Sequence, residues 1–293
     1  MAGSTHASAM QRQTTMAETS LRSTPFVVRL SLACLAVFVL GGLFAGWIAP
    51  HDPAAQNLMQ RLAPPVFLGG DWTYPLGTDA LGRDIFSRML FATRMSLGVA
   101  LLGTLIGAVI GTFLGFVAAQ QNRVTSGVIM ALVDAQAALP FQILVLAALA
   151  LFGNALWLFV ALVGIAGWET YARLIRGAVL SARTETYVQA LEATGASAWR
   201  IHGRHILPNV ANILIIQISL NFPSTILLET SLSFLGLGIQ PPLTSLGEML
   251  GSGRDHLLLA WWIAVVPGAA IFLITLSMSL VGDWLRDLLD PDS

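Results

Sequence analysis

The chain contains no lysine; every one of its 15 basic residues is arginine. That absence excludes a Gly-rich phosphate loop, whose lysine reaches the nucleotide phosphates. Any ATP-driven work must therefore be powered by another chain. Charge of either sign is scarce, at 11% of residues, against roughly a quarter in soluble domains. A net charge of -1 offers nothing to nucleic acid. Cysteine occurs once, as Cys34 in an apolar run, which excludes an intramolecular disulfide and suits a small packing residue. None of the 5 histidines falls in a long apolar segment, and no His-Glu-x-x-His occurs. An intramembrane hydrolase therefore lacks its metal ligands and its nucleophile–base pair. His202 and His205 stand three apart with no cysteine or carboxylate cluster, too little for a metal site.

What is abundant is hydrophobe: 55% of residues, with a mean hydropathy of +0.73. Six segments are long enough to cross a bilayer, which takes ~20 apolar residues each. They lie near 27–49, 95–118, 125–152, 154–172, 209–234 and 260–281, the fourth being the shortest. The expected fold is an all-α membrane protein with six transmembrane helices. Residues 1–26 are polar and rich in Ser and Thr and read as a disordered cytoplasmic tail, with Met10 and Met16 as alternative starts to Met1. The first apolar run exceeds a signal-peptide core and reads as an uncleaved span.

Orientation follows from arginine. With both termini inside, the cytoplasmic parts hold Arg12, Arg22, Arg29, Arg123, Arg173, Arg176, Arg183, Arg200, Arg204 and Arg286. The outer parts hold Arg61, Arg83, Arg88, Arg94 and Arg254. The excess beside the spans favours a multi-pass protein of the bacterial inner membrane with its N- and C-termini in the cytoplasm. A periplasmic segment, 50–94, then joins the first two spans. Within it, Thr78 is read as the N-cap of an amphipathic surface helix, with Asp79 at its positive end and Asp84–Arg88 as an i,i+4 pair. Residues 95–282 form a core of five spans, and 283–293 a cytoplasmic tail.

Inside the core, Gly103, Gly107, Gly111 and Gly115 recur every fourth residue. They stack on one helix face and let another helix approach, within the chain or from a partner. Asp134 lies in the third apolar segment, where a carboxylate is costly unless it faces protein or water. It either lines a translocation path or pins helices near the cytoplasmic side, the second being favoured. Glu229, near the outer end of the fifth span, either faces the path or reaches water. Glu169 and Arg173 form an i,i+4 pair beside Arg176, and Trp168 reads as an interfacial anchor.

The longest polar interruption of the second half is the loop 173–208, with its core at RTETYVQALEATGASAWRIHGRHILPN. Thr186 caps a short helix through Ala190 and Leu191, Gly195 ends it, and Pro208 opens the next apolar run. Two short helices hinged at a glycine make a knob on the cytoplasmic face.

At this knob the sequence resembles the permease subunits of ATP-binding-cassette importers. Gln189-Ala190-Leu191 stands where that family has Glu-Ala-Ala, Gly195 falls at the matching spacing, and Ile206-Leu207-Pro208 closes the motif. Gln189 departs from the family's glutamate and cannot make its salt bridge. Further matches are the Gly-Thr-Asp-x-Leu-Gly-Arg-Asp string at 77–84 and Trp168 to Gly177. The Leu-Ser-Phe-Leu-Gly-Leu-Gly-x-Gln-Pro-Pro run at 232–242 and the closing Gly-Asp-x-Leu-Arg-Asp-x-Leu-Asp-Pro at 282–291 complete the series. This wording resembles the second permease of the dipeptide, oligopeptide and nickel import systems.

The resemblance implies a type I importer permease fold with a cytoplasmic coupling helix. Gln189, Ala190, Leu191, Glu192, Gly195, Ala196, Ile206, Leu207 and Pro208 would engage an ATPase. Thr78, Asp79, Gly82, Arg83, Asp84, Gly238, Gln240 and Pro241 would meet a periplasmic or lipid-anchored solute-binding protein. Asp134 and Glu229 would be the candidates for the translocation path. The implied partners are a homologous second permease, two ATPase subunits that bind ATP and magnesium, and membrane lipid; this chain needs no cofactor and is not an enzyme. Peptides are the expected cargo, with nickel, glutathione, opines or sugars as alternatives on the same fold. A channel or secondary transporter working alone is the remoter reading, since no inverted repeat is visible.

Overall fold

The computed structural model describes residues 25–120, 122–186, 188, 194–195, 200 and 206–289, with the side chains of 207–209 left aside. Helices dominate, and the extended pairing among the described residues is one isolated bridge, Thr78 with Asp84. In chain order the helices are α1 (Phe26–Leu43), α2 (Ala45–Ile48), α3 (Ile85–Ala118), α4 (Arg123–Ala138), α5 (Phe141–Phe152), α6 (Leu156–Ile165), α7 (Trp168–Arg183), α8 (Leu207–Phe234), α9 (Leu246–Gly253) and α10 (Trp262–Leu289). Five spans are single long apolar stretches, α6 and α7 counting together as Leu156–Arg183. The sixth is the pair α4 and α5, bent by 87°.

That bend departs from the single third span expected over 125–152. Pro140 has no N–H to give the preceding turn, and its ring disfavours helical geometry at the residue before it. Leu139 is accordingly extended, with φ -95° and ψ 141°. Three other boundaries move. The fourth span runs on to Arg183, so residues 173–183 continue a helix instead of opening the loop. The last helix continues to Leu289, so 283–289 are an extension of α10 and no separate tail. Helix α3 begins at Ile85 and includes the last ten residues of the segment placed outside the bundle (85–94), so no separate surface helix precedes the second span.

Helix α3 is the central post, packed against α1, α6, α7 and α8. Its glycine stripe explains the closest of these approaches, and the helix it admits comes from the same chain. A Cβ on Gly111 would lie 2.2 Å from the Trp168 carbonyl oxygen and 2.6 Å from Tyr171 Cβ. One on Gly107 would meet Gly164 O at 2.9 Å, and one on Gly115 would meet Ala172 O at 2.8 Å. Where lipid tails are as apolar as the helix surface, backbone contact of this kind supplies the packing that holds helices together.

The two ends of the bundle differ. At one end the segment 49–84 and the short helix α9 fold over the starts of α3 and α10. There Ile85, Ala92, Leu246, Met249, Trp262 and Ile263 share one buried cluster. At the other end α3 finishes, α4 starts and α7 finishes. Ala119, Ile175, Val179, Val188, Ile206 and Val210 form a second buried cluster there, gripping both flanks of the polar loop.

Candidate functional site

The string Gly77 to Asp84 forms a knot of turns, and its residue types explain the shape. Asp79 accepts from the backbone N–H of Leu81 at 2.8 Å and of Arg83 at 3.0 Å, closing a tight loop. Gly82 sits at φ +71°, and a Cβ there would fall 1.8 Å from the Asn57 carbonyl oxygen. No other residue fits that position. The Thr78 hydroxyl donates to Gln60 O at 2.5 Å and accepts from Ala63 N at 2.8 Å, tying the knot to the preceding segment. Thr78 is therefore a strap inside the loop and not a helix cap. The cap of α3 is Asp84, whose carboxylate accepts from Phe86 N at 3.2 Å and Ser87 N at 3.1 Å. Asp84 also takes the Ser87 hydroxyl at 2.6 Å and lies 3.3 Å from His51 Nδ1.

The expected Asp84–Arg88 pair gives way to a longer-range one. Arg88, 2% exposed, donates from Nη1 to Asp79 Oδ2 at 2.5 Å and from Nη2 to Glu248 Oε2 at 2.8 Å. Thr244 adds contacts to both, at 3.3 Å to Arg88 and 2.9 Å to Glu248. Arg83 completes the cluster through Nε to Asp79 Oδ2 at 2.6 Å. Burial by itself would raise the Asp79 carboxyl, but the Arg88 guanidinium, then the Arg83 N–H and guanidinium, outweigh it and hold it below its usual value. The network joins the turn knot, the first turn of α3 and the first turn of α9. Glu248 and Thr244 were not among the expected site residues. The readable signal was Ser245-x-x-Glu248, a capping box that starts α9, with the Ser245 hydroxyl accepting from Glu248 N at 3.2 Å.

Burial sorts the eight residues assigned to this end. Thr78, Asp79, Gly82, Asp84 and Gly238 are enclosed and build the frame, so their side chains are not offered to a partner. Arg83 is half-buried, and Gln240 and Pro241 are exposed. Arg83, together with Pro53, Gln56 and Pro241, lines a cavity of about 320 Å³. Beyond the rim, Ser233 closes the glycine run. Its hydroxyl donates to Glu229 Oε1 at 2.8 Å, and a Cβ on Gly238 would strike it at 2.1 Å. Glu229 is fully enclosed, so in this chain it reaches neither water nor an open path.

On the other half of the bundle Asp134 and Trp168 are placed differently from expectation. Asp134 is exposed and meets Arg173 of α7 at 3.3 Å, so Arg173 reaches across helices where an i,i+4 partner was expected. Trp168 is buried, not interfacial, and its indole N–H donates to Gln136 Oε1 at 2.6 Å. Gln136, absent from the expected set, donates in turn to Ile165 O and Glu169 Oε2, each at 2.9 Å. These bonds fasten α4 to the junction of α6 and α7.

Of the loop residues, Gln189, Ala190, Leu191, Glu192 and Ala196 lie outside the described residues, as do His202 and His205. Gly195 has φ +78°, the left-handed conformation a helix-ending glycine adopts. Ile206 is fully buried, and the backbone of Leu207 and Pro208 opens α8. Among the described residues no group of three His, Cys, Asp or Glu side chains is placed to hold a metal.

Comparison with known proteins places this architecture. Residues 107–293 match the family described as the binding-protein-dependent transport system inner membrane component, and residues 27–65 match the N-terminal transmembrane domain of oligopeptide transport permease C. The di/tripeptide transport system permease DppC of Pseudomonas aeruginosa is 40% identical over 261 residues, 89% of this chain and 86% of that one. The dipeptide permease DppC of Escherichia coli is 38% identical over 90% of this chain and 88% of its own length. The glutathione transport system permease GsiD of Pectobacterium atrosepticum is 40% identical over 85% of this chain and 81% of its own. In structure, a chain of the MetNI methionine ABC transporter superposes with a TM-score of 0.53, covering 67% of this chain and 93% of that one; at 15% identity the likeness is one of fold. With most of its length accounted for in this way, the chain belongs to the family of multi-pass inner-membrane components of binding-protein-dependent transport systems.

Proposed function

We propose that this chain is one of two related permeases in an ATP-driven importer of di- or oligopeptides. The observation that carries the reading is the 40% identity to a di/tripeptide permease across 89% of the chain. The glutathione permease at the same identity favours a second reading of the cargo, itself a modified tripeptide. Nickel, opines and sugars remain the other cargoes carried on the same fold.

In this reading both termini are cytoplasmic and the turn knot faces the periplasm, in keeping with the arginine distribution. Arg83, Gln240 and Pro241 form the rim that meets a solute-binding protein, while Asp79, Arg88 and Glu248 keep the rim rigid beneath it. Residues 189–196, between the buried flanks at Val188 and Ile206, form the coupling element. Two separate ATPase subunits bind ATP and magnesium and supply the energy. Their closure pulls on this element, and Val179, Ile206 and Val210 pass the movement to α7 and α8. The chain itself makes and breaks no covalent bond.

The test is reconstitution. Proteoliposomes holding this chain with its sister permease, the ATPases and the binding protein should accumulate a radiolabelled dipeptide only with ATP. Uptake by this chain alone would overturn the proposal. Accumulation of glutathione but not dipeptides would decide for the second cargo.

A further inference from the structure

Two kinds of ion pair occur in this chain. Arg88 and its carboxylates are sealed, whereas the Asp134 and Arg173 side chains are 71% and 53% exposed. The exposed pair nevertheless lies deep. Counting from Arg123, the first residue of α4, Asp134 stands about 16 Å along the helix. Arg173 stands about 15 Å back from Arg183, where α7 ends. Both distances start from the end of the bundle that carries the polar loop, and both reach well into the ~30 Å hydrocarbon core of a bilayer. Charges at that depth must face protein or water.

The surroundings of the pair say which. Along α4, Asp134 shares its face with Gly127, Ala131 and Ala138, all exposed. Along α7, Arg173 shares its face with Thr170, Gly177 and Ser181, also exposed, with Leu180 the one large apolar side chain among them. A Cβ added at Gly127 or Gly177 would meet nothing within 4 Å, so these glycines, unlike those of α3, admit no helix of this chain. The large apolar side chains of α4, Val124, Val128 and Leu132, are exposed on its other side. The helix thus has one side fit for lipid tails and one side that is small and polar. That polar side continues to the loop end, where Arg123, Ser126 and Arg176 line a cavity of about 380 Å³. Glu169, one turn before Arg173, is already engaged by Gln136 at 2.9 Å and Thr170 at 3.4 Å. Asp134 and Arg173 are therefore the charges this face has to offer.

A helix of a sister permease laid on this face would take both charges out of water, and their mutual attraction does not reliably repay that cost. Left in water, the pair adds little to stability, so either member can exchange its partner for a matching charge on a passing molecule at small cost. A dipeptide carries the matching charges, an ammonium at one end and a carboxylate at the other. A site on a transport route also needs to be weak, since the cargo must leave as readily as it enters.

We propose that Asp134 and Arg173 form a dipolar subsite on the cargo route, where Asp134 takes the ammonium end of the peptide and Arg173 its carboxylate end. The inference rests on the peptide-permease reading and adds the residues that hold the cargo part-way along. The test is thiol labelling of the assembled transporter in lipid nanodiscs, without nucleotide or binding protein, read by mass spectrometry of this chain. Cys34→Ser removes its own thiol, and Ala131→Cys or Leu132→Cys then places one at the same depth on either side of α4. A charged methanethiosulfonate should modify Ala131→Cys at least ~tenfold faster than Leu132→Cys, because the reacting thiolate forms only in water. Alanyl-alanine at ~10 mM, above the millimolar dissociation constant of a weak site, should slow the modification of Ala131→Cys severalfold. N-acetyl-alanyl-alanine amide, which lacks both charges, should not, and adding Asp134→Asn or Arg173→Gln should remove the protection. Equal rates at the two positions would overturn the proposal, as would equal protection by the blocked peptide or protection that survives either substitution. Co-purification of the partner subunits shows that each variant assembles; loss of a subunit from Asp134→Asn or Arg173→Gln would make the pair a subunit contact and overturn it too. A transporter that takes up no dipeptide in proteoliposomes would remove the functional reading and this subsite with it, whereas dipeptide uptake with no protection at Ala131→Cys would remove the subsite alone.

Discussion

Arg88, in the first turn of α3, donates to Glu248 in α9 at 2.8 Å across 160 residues of sequence. Both side chains sit at the end of the bundle that the turn knot covers, and the same guanidinium holds Asp79 from its other nitrogen. The arrangement locks three separate pieces of chain with one cation.

Removing that cation should therefore leave two carboxylates facing each other in a buried place. Arg88→Met is expected to lower stability by about 3–5 kcal/mol, the range for breaking a buried pair from one side. Adding Glu248→Gln should recover part of the loss. Thermal unfolding in detergent, followed by tryptophan fluorescence, measures both, and additive effects of the two substitutions would contradict the coupling.

Acid should act through Asp79. Its carboxyl titrates below the usual 3.8 in the folded chain. Its contribution is thus complete at pH values above the unfolded Asp pKa of ~3.9, and is lost as pH falls through the lower folded value. The unfolding midpoint of the wild type should drop more steeply below pH ~4 than that of Asp79→Asn, which has no proton to gain. Parallel curves would show that the cluster does not titrate this way.

The glycine stripe makes a contrast within one helix. Gly111→Ala places a methyl group against the Trp168 carbonyl and should cost about 1–3 kcal/mol through overpacking. Gly98→Ala meets nothing within 4 Å, and should be neutral or slightly stabilising because alanine favours helix. Unfolding midpoints of the two variants, compared with wild type, test the assignment of the α3–α7 contact.

The exposed rim can be probed with little disturbance of the frame. Gln240→Trp adds bulk to an exposed position and gives up the amide donation to Gly236 O at 2.9 Å, so it should lower stability by no more than about 1 kcal/mol. It should reduce binding-protein stimulation of ATP hydrolysis by about tenfold, the scale of one displaced contact at an interface. Normal stimulation would remove Gln240 from the proposed contact surface.

A bilayer-spanning, all-helical chain was legible in composition because apolar runs near 20 residues have few other uses. The small-residue face of α3 was equally plain, since spacing by four defines one side of a helix wherever the helix goes. The turn knot was legible as wording but not as shape. Its residues favour caps and turns alike, and local preference alone does not distinguish Thr78 from Asp84 as the cap of α3. Glu248 and Gln136 drew no expectation from the sequence. Their partners lie far away in sequence, at Arg88 and Trp168.

The amino-acid order by itself determined which stretches enter lipid and which face of α3 is narrow, because each follows from short-range geometry and from the absence of hydrogen-bonding water in the bilayer core. Only the tertiary structure decided which carboxylate each arginine holds, which residues of the turn knot are sealed and which form a rim, and that Glu229 is enclosed. Those outcomes depend on distances between segments far apart along the chain, and a charge has no preferred partner until packing brings one within reach.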